Sequence, residues 1–100
     1  MNKIILMGRL TREPEMFGQK SKVARFTLAV DRNYGENETD FFNCVSFGKQ
    51  AEFVEKYLKK GIKVLVPGRL QNNTYEDKQG NKVTATQIIT EEIEFAESKK

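Results

Sequence analysis

The segment TDFFNCVSFGK (residues 39–49) sets Phe41 and Phe47 six positions apart and follows them closely with Lys49. Flat rings stack on other flat groups, and an ammonium beside them draws anions, so the chemistry this set could do is non-covalent stacking with charge capture alongside. In a strand, alternation sends Phe41, Asn43, Val45 and Phe47 to one face and Phe42, Cys44 and Ser46 to the other. Both faces then carry a ring. Such a strand is either buried on both sides or has one face left as a working surface.

Residues for covalent or metal chemistry are scarce. The chain has no histidine, which removes the commonest general base and metal ligand. Its one cysteine excludes an intramolecular disulfide, and Cys44 among apolar neighbours reads as a small buried hydrophobe in a reducing, cytoplasmic protein. Asp31, Asp40 and Asp77 stand singly on loops and strand ends, a thin basis for a metal-dependent nuclease. No enzyme, cofactor or metal site is expected. The N-terminal MNKIILMGRL has four consecutive apolar residues, too few for a signal peptide, and nothing approaches a membrane span. Net charge is +3, with fifteen basic and ten acidic residues over 1–90 against two and four over 91–100. A modestly basic body suits a polyanionic partner.

The elements that must position the rings follow from apolar periodicity. KIILMGRL (3–10) and SKVARFTLAVDRNY (21–34) read as strands, separated by TREPEMFGQK, whose Pro14 and Gly18 mark turns. In the second run Ala24, Phe26, Leu28 and Val30 share a face opposite Val23, Arg25 and Thr27. The polar loop GENETD (35–40) leads into the strand with the rings. KQAEFVEKYLKKG (49–61) changes to helical period: Ala51, Val54 and Leu58 form the buried face, Phe53 lies beside Tyr57, and Gly48 is the best N-cap. Glu52 with Lys56 and Glu55 with Lys59 have the favourable i,i+4 orientation, and Lys59, Lys60 and Gly61 make a plausible end. IKVLVPGRL (62–70) resumes strand, NNTYED and NKVTATQII flank a KQGN hairpin turn at Gly80, and a last alternation, 88–95, closes the domain.

MGRL (7–10) and PGRL (67–70) echo one another, each with a glycine inside a strand, which marks a bulge or bend at a barrel corner. Pro67 further suggests an edge or bulge. Five strands with one helix between the third and fourth is the layout of the OB-fold, an all-β Greek-key barrel that leaves one face of strands two and three free for an extended oligomer. Phe41 and Phe47 would stand on that face, roughly 20 Å apart, a span that suits several nucleobases. Arg9, Arg32 and Arg69 are candidate phosphate partners from strand parity and position.

The chain resembles the bacterial-type single-stranded DNA-binding proteins of replication and repair. The likeness runs nearly end to end, through NKIILMGRLTREPE, ARFTLAVDRNY, DFFNCVSFGKQAEFVEKYLKKG, VPGRLQ and YEDKQGNKVTATQI. It implies an OB-fold over residues 1–97 with 98–100 as a short end. It also implies a homotetramer, with a dimer as the alternative, and non-catalytic binding of single-stranded DNA without strict sequence preference during replication, recombination and repair. By position it implies base stacking at Tyr34, Phe41, Phe47 and Tyr75, phosphate contacts at Lys3, Lys49 and Lys60, and a subunit contact at Phe42. Enterobacterial members carry tryptophan at three of the stacking places, where this chain has smaller rings. QNNT (71–74) replaces a stretch that is often basic.

Members commonly continue into a linker and an acidic tail that recruits replication and repair enzymes, and the implied location is the cytoplasm, at the nucleoid. Two readings stay beside this one: an RNA-binding OB module, and a primosome-like protein–protein adaptor whose exposed rings form an interface. Several residues also have plainer uses. Tyr75 could pair across the hairpin with Val83 or Ala85. Lys49 could simply begin the helix, and Lys60 could simply complement its C-terminus.

Overall fold

The computed structural model describes residues 1–32 and 38–96. Tyr34, expected to stack a base, and residues 97–100, with the expected domain end, lie outside the described residues. The elements are β1 (Ile4–Leu10), β2 (Glu15–Phe17), β3 (Val23–Asp31), β4 (Thr39–Phe47), α1 (Lys49–Tyr57), β5 (Lys63–Glu76), β6 (Lys82–Thr90) and β7 (Glu94–Phe95). The five long strands and the helix stand in the order expected, and the fold is all-β with one helix.

Antiparallel pairings join β1 to β3 and β5, β3 to β4, and β5 to β6, while β4 and β6 pair in parallel. Each long strand therefore has two long neighbours, and the pairings run β1-β3-β4-β6-β5 and back to β1, with short β2 and β7 added on β3 and β5. Two glycines sit where strands change partners. β1 pairs with β5 over Ile4 to Arg9 and with β3 at Arg9 and Leu10. β5 pairs with β1 through Gly68 and with β6 from Gly68 onward. A Cβ on Gly8 or Gly68 would fall within 3.0 Å of the carbonyl oxygen of Ala29 or Ile89, respectively. The MGRL and PGRL echo thus marks two close backbone approaches, where a side chain would push adjoining strands apart.

Four details differ from the sequence reading. The TREPEMFGQK segment contains β2, paired to β3, because Met16 packs against the core while Glu15 and Phe17 point outward. The final alternation over 88–95 is broken after Thr90, where the Glu91 N–H donates to the Pro67 carbonyl at 2.8 Å and the chain turns before β7. β5 is not an edge strand, although at Pro67 itself only the β1 side is laddered, the β6 ladder beginning at Gly68. The residue's carbonyl faces Glu91, just past the Gly68–Thr90 end of the β6 ladder, so its missing N–H leaves no ladder bond unmade. Finally, α1 ends at Tyr57 with extended Leu58 as its C-cap, placing Lys59 beyond the last turn, and Lys22 holds Glu55 at 2.8 Å.

The core is made by the inward rows. Ala24, Phe26 and Leu28 of β3 meet Val64 and Val66 of β5, Ile88 of β6, and the Ala51, Val54 and Leu58 face of the helix, all buried. Gly48, at φ 58°, gives α1 its N-terminal turn without a side-chain cap, and Phe53 packs on Tyr57 with ring centroids 5.1 Å apart. Among the inward residues of β4, Ser46 is satisfied by a buried 2.5 Å hydrogen bond with the Thr90 hydroxyl. Burial pushes the Cys44 thiol up to about 12. At pH 8 Cys44 should therefore resist iodoacetamide in the native protein and react promptly in denaturant; mass spectrometry reads both, and rapid native alkylation would show that the strand opens. Among the described residues no helix is long and apolar enough to cross a membrane.

Candidate nucleic-acid interface

The outward row of β4 is the starting point. Its ladder with β3 places Phe41 opposite Ala29, Asn43 opposite Thr27, Val45 opposite Arg25 and Phe47 opposite Val23. Phe41 is 66% exposed and Phe47 51%, so neither ring serves the core. Inward Phe42 packs against the core cluster while remaining partly exposed. Between the two exposed rings the face dips: Val45 is buried although it points outward, next to Ile89 in the parallel β4–β6 ladder.

A groove of about 470 Å³ runs over this dip. Arg25, Thr27 and Asn43 line one side, and Asn73, Tyr75 and Gln87 of the β5–β6 hairpin the other. The Thr27 hydroxyl donates to the Asn43 side-chain carbonyl at 3.3 Å, giving the floor a polar pair. The hairpin stands clear of the body, since β5 is exposed from Arg69 to Glu76. Its turn is built by the Asp77 carboxylate, which accepts the N–H groups of Gln79 and Asn81 at 2.9 Å, with Gly80 at φ 82°. Tyr75 is opposite Val83 and remains 51% exposed. Cross-strand pairing and access to the groove are therefore compatible. Arg69 has the same outward parity on β5 as Asn73 and Tyr75.

The expected cations fall into different situations. Lys49 is exposed at the first turn of the helix, two residues beyond Phe47. Lys60 is exposed after the helix, its backbone N–H directed at the Glu13 carboxylate. Lys3 lies 3.8 Å from Glu91, both largely solvated, a contact too loose to occupy the ammonium. Arg9 is tied to the molecule by a 2.8 Å bond from Nη1 to the Gly61 carbonyl. Arg32 is the most committed: its guanidinium spans Asp40 and Glu38 at 2.9 and 2.6 Å. Those hydrogen bonds hold the Asp40 carboxyl below the ordinary aspartate range. Arg32 thus braces the two strands beside residues 33–37 instead of presenting a free cation.

The three aspartates considered as metal ligands are likewise engaged in separate places. Asp31 accepts the Thr39 hydroxyl, Asp40 holds Arg32 and Asp77 shapes the hairpin turn. Among the described residues no group of three or more such ligands comes together.

Sequence reasoning missed Phe17 and Arg25. Phe17 is 45% exposed on β2, in register with Val23 and, through it, with Phe47. The Arg25 guanidinium carbon lies 5.2 Å from the centroid of the Phe17 ring. The available signal was the polar–apolar alternation of Arg25 on β3, and a phenylalanine in a segment too short to read as a strand. Two further exposed side chains, Ile5 and Met7, stand on the outward face of β1.

The likeness to known proteins extends over almost the whole chain. The model of the single-strand binding protein family matches residues 1–96. The single-stranded DNA-binding protein of Fusobacterium nucleatum is 47% identical, aligning with 99% of this chain and 69% of its own length. Single-stranded DNA-binding protein 1 of Staphylococcus aureus is 50% identical over 99% of this chain and 67% of its own. Single-stranded DNA-binding protein A of Bacillus subtilis is 45% identical over 99% and 61%. With likeness of this extent, and with exposed rings beside a groove and cations, the chain belongs to the single-strand binding protein family.

Proposed function

We propose that this protein binds single-stranded DNA through the outward face of β3 and β4 and the inner side of the β5–β6 hairpin, and that its closed circuit of strands is an OB-fold barrel over residues 1–97, with 98–100 as its end. The observation that carries the reading is the pair Phe41 and Phe47, exposed at the two ends of a grooved sheet face that the core does not use. Bases stack on Phe41, Phe47 and Tyr75, with Tyr34 as a fourth position. Stacking tolerates any base because every base has a π-face, so binding is largely indifferent to sequence. Lys49, Lys60, Arg69 and Lys3 neutralise phosphates, while Arg9 and Arg32 contribute chiefly by bracing the backbone, at Gly61 and between the ends of β3 and β4 respectively. The protein acts without catalysis, protecting exposed strands during replication, recombination and repair in the bacterial cytoplasm. It works as a homotetramer, supported by the exposed apolar pair Ile5 and Met7 on β1 and the half-covered Phe42.

The test is fluorescence anisotropy with labelled oligo-dT and with a duplex of equal length, each across a salt series. Tight single-strand binding is expected, falling with a slope of about 0.7 log units per neutralised phosphate per log unit of salt, with little duplex binding. Equal affinity for the duplex would overturn the proposal.

A further inference from the structure

Phe17 and Arg25 serve neither the core nor any ion pair found among the described residues. β2 has only three residues, and its middle one, Met16, supplies the strand's contact with the core. A phenylalanine left 45% exposed beside it, with an arginine over its ring, therefore calls for a reason. Phe17, Val23 and Phe47 occupy one cross-strand row, so Phe17 and Phe47 flank Val23 with their backbones about 10 Å apart. Arg25 is outward on the next row of β3, where it both covers Phe17 and lines the groove.

Building on the single-strand reading above, we propose that Phe17 and Arg25 form a further nucleotide subsite, in which a base stacks on the guanidinium plane backed by the Phe17 ring, carrying the strand from Phe47 across β3 onto β2. A guanidinium is flat, weakly hydrated and permanently charged, so it can meet a base with one face while its edge reaches a phosphate. The ring behind it fixes the plane and shields one face from water. The strand thereby leaves β4 at the Phe47 and Lys49 end and continues sideways over the sheet. Its path is longer than Phe41 and Phe47 alone define.

The intact protein is titrated with labelled oligo-dT of about 16 nucleotides, the upper end of what one such domain occupies. Phe17→Ala should weaken binding about 5-fold to 150-fold, the loss of one stacked base, and Phe17→Leu should fail to restore it. Arg25→Lys should also weaken binding while leaving the salt slope unchanged, because the charge remains and only the plane is lost. If Phe17→Leu binds like the parent, the ring merely packs β2 and the proposal fails. The same holds if neither Phe17 variant departs from the parent. A parent protein that does not bind the strand at all would instead overturn the single-strand reading, and the subsite with it.

Discussion

Phe47→Ala should weaken binding of labelled oligo-dT by about 1–3 kcal/mol while leaving thermal stability nearly unchanged. The combination is diagnostic. A core phenylalanine cut to alanine costs about 3–5 kcal/mol of folding free energy, whereas Phe47 is half exposed and none of its loss opens a cavity. Phe41→Ala should behave alike, because Phe41 is more exposed still and faces only Ala29 across the ladder. The two losses should nearly add, since the rings stand about 20 Å apart and contact different bases. Anisotropy titration paired with a melting curve reads both quantities. A large fall in melting temperature with unchanged affinity would return these rings to a structural role.

Leu28→Ala should produce the opposite pattern, a loss of about 2–5 kcal/mol in folding with binding preserved in the molecules that remain folded. Leu28 is fully buried at the centre of β3, with its row neighbours Phe26 and Ala24 also sealed against β5, β6 and the helix. Alanine leaves a cavity that close packing on all sides cannot refill. Urea denaturation should show a lower midpoint with an unchanged slope. A change within the scatter of surface substitutions, about 0.5 kcal/mol, would mean that the β3 row is not the core.

The contrast between these two residues is the part most legible in the sequence. β3 and β4 are long enough for alternation to put Leu28 on one face with Phe26 and Ala24, and Phe47 with Phe41 opposite Phe42; the OB layout then assigns the Phe47 face outward. The helix is legible for the same reason, its Ala51, Val54 and Leu58 face being buried as the 3.6 period requires. Gly8 and Gly68 were visible as punctuation within strands, although only the pairing reveals that each lies beneath a neighbouring carbonyl.

What alternation could not reveal has identifiable causes. β2 is three residues long, below the length at which a period can be recognised, and it exists because β3 offers a free edge to pair with. Phe17 and Arg25 consequently meet across a ladder that no local pattern announces. Arg32 is a cation in composition, but Glu38 and Asp40, six and eight positions on, turn back to it, an arrangement that parity alone does not predict. Val45 shares the outward parity of Phe41 and Phe47 yet is buried, since the parallel pairing with β6 brings Ile89 alongside it. Local sequence assigns a face; the neighbouring strand decides whether that face is open.

The absence of tryptophan offers a direct test of the outward face as a base-stacking platform. Phe47→Trp introduces a single indole at the proposed stacking position, and its emission can be followed as unlabelled oligo-dT is added. Strong quenching that saturates together with binding of a labelled strand is the predicted result, reversed by salt along with the binding. Binding of the strand with no change in the indole emission would contradict the account.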